Sequence, residues 1–378
     1  MPAQEDSMDL RQSHALAGCA LVVAASLVMA TAYAGQRGQE EGRGRGNRPT
    51  YSLSDPVPQD PALRGAIDLH AHQDPDSNGP SYGQAARSDD ALDLVKRAKA
   101  AGMRGFVIKQ HLDQTAGLAY YVRKLYPDME VFGGMGSNLT TGLKVNPWAI
   151  THMTEIKGGW GRIVWMPSWD SETSSHRVRN WKQPAFVPVA RCPGGAAFWA
   201  NYPKSCENGE LLPEVKEAIR VIGTQKTRDS NGDLILATGH NSPEEDMMMI
   251  KEALKAGVKH VIITHPVLDV VGMSDEQIKQ AVGLGPEIYA EFTSQFGLPS
   301  AAPETVKRYI GAIRAAGPEH AFVSSDTGQI GSPFQPDALA LVAKILRDNS
   351  FTERELDLLF KINPAKILGI SPPTSVAR

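Results

Sequence analysis

From Arg64 onward the chain alternates short apolar runs with amphipathic stretches. The apolar runs cover residues 66–72, 105–111, 130–137, 162–168, 234–240, 261–265, 287–293 and 321–326. Each is only a few residues long and β-rich, as a parallel strand buried on both faces must be. Between them the apolar positions recur at helical spacing. Residues 91–101 predict a helix whose buried face carries Leu92, Val95 and Ala98. Ser242-Pro243-Glu244-Glu245 forms a capping box with proline at the first helical position, and Ser274-Asp275-Glu276-Gln277 opens another helix with a second box. Pro303 precedes a further helical stretch that runs to residue 315.

Eight strand–helix units in about 300 residues are the count and size of an α/β (β/α)8 barrel, the TIM barrel. The barrel is expected over residues 63–372, with an open, doubly wound sheet as the alternative. One interval breaks the rhythm, between Ser168 and His240. It holds an insert at about residues 169–208, with Trp181, Trp199, Tyr202, Cys192 and Cys206. An insert after the fourth strand should rise over the catalytic face as a lid.

The N-terminus lies outside this pattern. Residues 15–29 form an uncharged apolar run, preceded by Arg11 and followed by the small-residue site Ala32-Tyr33-Ala34. That is the layout of a secretory signal peptide over residues 1–34, and the run is too short for a comfortable membrane span. The acidic residues Glu5, Asp6 and Asp9 are unusual ahead of such a run; a start at Met8 would remove the first two. The expected location is therefore periplasmic or secreted, with no stable membrane insertion and an uncleaved anchor as the alternative. Residues 35–62 are rich in Gly, Arg, Glu and Pro without period and predict a disordered linker. Cleavage would remove Cys19 and leave Cys192 and Cys206, which an exported chain would close as a disulfide or keep as two thiols. The whole chain has 378 residues, 42% hydrophobic and 21% charged, with a net charge of -3. Such a balance gives no support to a nucleic-acid partner.

The chemistry is concentrated in the histidines. Of the ten, His70, His72, His111, His240 and His265 end predicted strands, whereas His260 and His320 begin them. Strand ends line the active-site mouth of a barrel, and strand beginnings serve stability. In Asp68-Leu69-His70-Ala71-His72 the two imidazoles sit at i and i+2, on one side of a strand, and can share one cation. Imidazole suits zinc and its transition-series neighbours. Asp68 orients a ligand or packs below it. Asp326 ends the eighth strand, with a helix N-cap as its bland alternative.

The Asp-x-His-x-His after strand one, His240 and His265 after strands five and six, and Asp326 after strand eight together resemble the amidohydrolase superfamily. Asn363-Pro364-Ala365-Lys366-Ile367-Leu368-Gly369 resembles its closing segment. Thr238-Gly239-His240-Asn241-Ser242-Pro243-Glu244-Glu245 and Val107-Ile108-Lys109-Gln110-His111 are similar to an uncharacterised branch of metal-dependent hydrolase-like proteins. The resemblance spans roughly residues 64 to 372. It implies that His70, His72 and His240 ligate a divalent metal, zinc foremost, with one or two ions per chain. Asp326 would touch the metal and take a proton from its water; His265 would ligate a second metal or polarise the scissile bond.

One departure stands out. The fourth strand lacks the lysine that bridges two metals in many members of that superfamily. Lys109, two residues before His111, is instead a displaced bridge, an ammonium for a substrate carboxylate, or a partner of Asp326. His111 is an extra ligand or a substrate contact, and Glu291 is a further candidate for the mouth. The function implied is hydrolysis of an amide, lactam, lactone or ester bond in a small molecule, by a monomer or a homo-oligomer. A one-metal decarboxylase or lyase, or a non-catalytic periplasmic metal-binding protein, are the alternatives. No Gly-x-Ser-x-Gly elbow supports a serine hydrolase.

Overall fold

Eight strands pair in chain order in the computed structural model of the protein, which describes residues 51–76, 87–142, 144–168, 171, 205–207, 209–329 and 331–372. They are β1 (Ile67–Ala71), β2 (Gly105–Ile108), β3 (Glu130–Gly136), β4 (Gly161–Trp165), β5 (Ile235–Ala237), β6 (Val261–Ile263), β7 (Ile288–Thr293) and β8 (Ala321–Ser324). All seven ladders are parallel. Each connection carries a helix: α1 (Ala91–Ala100), α2 (Ala116–Leu125), α3 (Pro147–Thr154), α4 (Pro213–Thr224), α5 (Pro243–Lys255), α6 (Asp275–Val282) and α7 (Pro303–Ala316), with α8 (Gln335–Asp348) after β8. This is a nearly closed (β/α)8 barrel. Most strands stop short of the predicted ends, so His72, His111, His240 and His265 lie on the loops just beyond, while His70 is still within β1.

The seam between β8 and β1 is bridged at the mouth. The Asp326 N–H donates to the His70 carbonyl at 2.8 Å, and the His72 N–H to the Thr327 carbonyl at 3.0 Å. Below them Asp68 Oδ1 accepts the N–H groups of His70 and Ser325, each at 3.0 Å. Asp68 therefore packs under the histidines and ties the first strand to the last.

Ile67, Leu69, Val107, Phe132, Ile163, Trp165, Ile235, Ile262, Tyr289 and Phe322 fill the barrel, with Ala365, Ile367 and Leu368 packed in the same cluster. The second, larger core lies between sheet and helices. A register irregularity between Asp68 and Ala71 changes the strand's phase. Ile67 and Leu69 face the interior below it, and His70 and His72 come together at the mouth above it, their ring centroids 5.1 Å apart.

Two expectations differ in detail. In α1 the buried face carries Leu94, Val95 and Ala98, while Leu92 is 38% exposed. The linker expected over residues 35–62 is ordered from Tyr51, where the barrel unit begins. Arg97 Nη1 donates to the carbonyls of Leu53 and Asp55, and Arg347 forks onto the Asp60 carboxylate at 2.7 and 2.9 Å. These anchors are single arginines on distant helices, so composition does not reveal them. The capping boxes of α5 and α6 form as their sequences predict. The signal peptide, the linker up to residue 50, most of the insert and Cys192 lie outside the described residues. The ends of the insert are tied beside β5: Ser171 Oγ donates to the His240 carbonyl at 2.6 Å, and Ser205 Oγ to Asn241 Oδ1 at 2.9 Å. No helix of the described residues is long and apolar enough to cross a membrane.

Candidate metal centre

The C-terminal end of β1, the residue after it and the loop after β8 bring three ligand atoms together. His70 Nε2 and His72 Nε2 each lie 3.2 Å from Asp326 Oδ1, all in a buried setting. A tetrahedral ion with bonds of about 2.1 Å holds its donors about 3.4 Å apart. The observed spacing is therefore what three donors of one small cation require. His70 Nε2 has no other hydrogen-bond partner despite full burial, as a lone pair reserved for a metal should. The three residues fit a divalent ion.

The histidines are held from behind. His70 Nδ1 donates to Glu291 Oε1 at 2.9 Å, which leaves Nε2 unprotonated in the neutral ring. The same oxygen accepts from Ser324 Oγ at 2.7 Å, and Oε2 accepts the His265 N–H at 3.3 Å. Glu291, at the edge of what the sequence signalled, is thus the group that orients His70. Burial pushes His72 and His240 well below the ordinary imidazole pKa, and His111 and His265 down to about 4. Neutral imidazoles are the form that binds metal. Burial opposes ionisation of Asp326, but His70 and His72 hold its carboxyl well below the usual range.

His240 and His265 stand beside this trio instead of within it. Their Nε2 atoms face each other at 3.0 Å, and the His265 ring stacks 6.1 Å from that of His70. Both Nδ1 atoms are buried without a hydrogen bond. Two of the site residues have strained backbones: φ is +26° at His265 and +49° at Asp326. Such values are rare outside glycine and cluster at functional sites. Asp326 is no helix N-cap; its Oδ2 accepts from Gln295 Nε2 at 3.0 Å.

On the far side of His72, the His111 ring stacks at 4.6 Å. His72, Asp76 and His111 also bring ligand atoms together. A cation already sits there, however: Arg87 pairs with Asp76 and places Nη2 3.0 Å from His111 Nδ1. Sequence reasoning missed both Arg87 and Asp76. They lie on the loop after β1, where no periodicity marks them. Lys109, one residue past β2, is buried with Nζ 5.1 Å from the Trp165 ring centroid. Among the described residues it forms no ion pair with Asp326. Asn138, in a nominal glycosylation motif, is buried and donates to the His111 carbonyl at 2.6 Å and Ser168 Oγ at 3.0 Å.

This parallel (β/α)8 barrel is a fold found among solved amidohydrolase structures. The solved structures that share it include two that match well over most of this chain. One is an amidohydrolase from Burkholderia multivorans with bound zinc, 11% identical, with a TM-score of 0.52 over 81% of this chain and 99% of that one. The other is a probable 2-pyrone-4,6-dicarboxylic acid hydrolase from Acinetobacter baumannii with citric acid bound, 12% identical, TM-score 0.50, over 81% and 100%. Within that fold the chain belongs to DUF6282, a family of unknown function whose model matches residues 65–289. No curated protein matches the sequence.

Proposed function

We propose that this protein is a metal-dependent hydrolase that cleaves an amide, lactam, lactone or ester bond in a small molecule. The observation that carries this reading is the convergence of His70 Nε2 and His72 Nε2 on one oxygen of Asp326 at metal-ligand spacing. A divalent ion bound there, zinc by the nitrogen-and-oxygen donor set, would supply a water whose pKa is lowered to about 7.

The chain's own residues do the rest. His70, His72 and Asp326 form the core of the donor set, with His240 the next residue to join. Asp326, ionised and anchored by Gln295 through its other oxygen, takes a proton from the attacking water and returns it to the leaving group. His265, neutral and fixed through its backbone by Glu291, is placed to face the scissile carbonyl or to accept a second ion. Glu291 keeps His70 in the tautomer that presents Nε2. Lys109 and His111 border the trio and are placed to meet the substrate. Export through the N-terminal segment belongs to the same proposal and rests on the sequence pattern alone.

The test is elemental analysis of purified protein, followed by a panel of amides, lactams, lactones and esters, with carbon dioxide release followed alongside. The expected result is one or two equivalents of metal and metal-dependent hydrolysis. Protein that binds no divalent ion overturns the proposal, and so does carbon dioxide release without hydrolysis.

A further inference from the structure

Beside the candidate metal ligands lies a buried lysine that has Asp326, Glu291 and Asp76 in its surroundings but pairs directly with none of them. Lys109 is 2% exposed, and among the described residues its Nζ makes no hydrogen bond or ion pair. Every carboxylate in its surroundings is committed elsewhere. Asp326 faces His70 and His72, Glu291 takes His70 and Ser324, and Asp76 takes Arg87. Arg87 is itself only partly satisfied. Its Nε donates to Asp76 at 3.1 Å, and Nη2 reaches Asp76 and His111, while Nη1 is buried with no partner. An ammonium offers three donors and a guanidinium five. Arg87 Nη1 is a buried charged donor left unmade, and such donors are the costliest of all. The mouth thus holds two cationic side chains with spare donors.

We propose that Lys109 and Arg87 form an anion subsite that receives a carboxylate of the substrate, so that the molecule cleaved is an acid. The proposal rests on the reading of this mouth as a metal-hydrolase site. Two side-chain donors match the two oxygens of a carboxylate, and charge-assisted bonds of this kind are the strong ones. Arg87 is fixed by Asp76 and pre-set in position. Lys109 extends over Trp165, whose ring face offsets part of the cost of burying the ammonium. The subsite would sit on the His72–His111 side of the metal trio and orient the substrate relative to it.

The experiment is titration calorimetry with succinate, with neutral succinamide as control and inorganic phosphate as a third arm. Wild-type protein should bind succinate and leave succinamide unbound, with phosphate weaker than succinate. Lys109→Met should weaken succinate about tenfold or more, as loss of one charge-assisted bond does, while metal content and circular dichroism stay at the wild-type level. Lys109→Gln serves if the Met variant does not fold. Equal binding of succinate and succinamide, no succinate binding, or an unchanged affinity in the folded variant overturns the subsite. Tighter phosphate binding overturns the carboxylate assignment. Loss of metal from Lys109→Met overturns it too, because the lysine would then serve the ion. Since metal content is measured separately, failure of the subsite and failure of the hydrolase reading are told apart.

Discussion

Glu291 Oε1 lies 2.9 Å from His70 Nδ1, both side chains buried, and this one hydrogen bond decides which nitrogen of His70 faces Asp326. Removing the charge without the shape should therefore loosen the metal more than the fold. Glu291→Gln is expected to weaken metal affinity by about 10- to 100-fold, the usual effect of changing an outer partner. Competition with a chelator measures it. Unchanged affinity would show that Glu291 serves the barrel wall only.

Asp326→Asn separates holding the ion from moving the proton. The amide keeps an oxygen for the ion shared with His70 and His72 but is not a base for its water. Turnover of any substrate found should fall by about 10²- to 10⁴-fold, the range for a general acid–base group, with most of the metal retained. Full activity in this variant ends the proposed role.

Gly239 sets the position of His240. Its φ is +76°, and a Cβ there would run into the carbonyl oxygens of Met166 and Pro167. The next N–H, that of His240, donates to the Pro167 carbonyl at 3.0 Å. Gly239→Ala should cost about 1–2 kcal/mol from the left-handed backbone alone, and more from the collision. Urea unfolding gives the loss. Stability equal to wild type would mean that this loop relaxes freely.

Metal-free protein should lose stability in acid over a defined window. His111 and His265 are depressed by burial to about 4 from the free value of 6.5. Between those values the unfolded chain binds more protons than the folded one, so stability falls as pH drops through 6.5 towards 4. Each histidine contributes up to about 3 kcal/mol over that range. Unfolding free energies at pH 7 and pH 5 check it, and a flat profile would contradict the burial of these rings.

Much of this was legible in the sequence because it depends on local pattern. Short β-rich runs with capped helices between them define the barrel, and histidines at the ends of those runs define the mouth. His70, His72 and Asp326 meet because strand ends converge, which needs no knowledge of side-chain packing. Arg87 and Asp76 were illegible: they sit on an irregular loop, and only the folded chain brings them to His111. The phase change after Asp68 was hidden too, since a bulge leaves no mark in an apolar run. The resemblance ranks His240 with the first pair and gives His265 to a second metal or to the scissile bond, yet the two form a neighbouring pair of their own. The spacing between separate loops is a tertiary quantity.

The seam between β8 and β1 has a consequence for assembly. Ser325 and His70, joined there by a hydrogen bond, are 255 positions apart. The Asp326 carboxylate reaches the two imidazoles only when the last strand has come round to the first. Closing so long a loop is paid for in chain entropy. An ion gripped by both ends would work as a staple on the ring, holding the last stave of the cask against the first. The pocket would then exist only in a finished chain, and a ribosome-bound fragment that stops before Ala321 would carry the His-x-His without its acid.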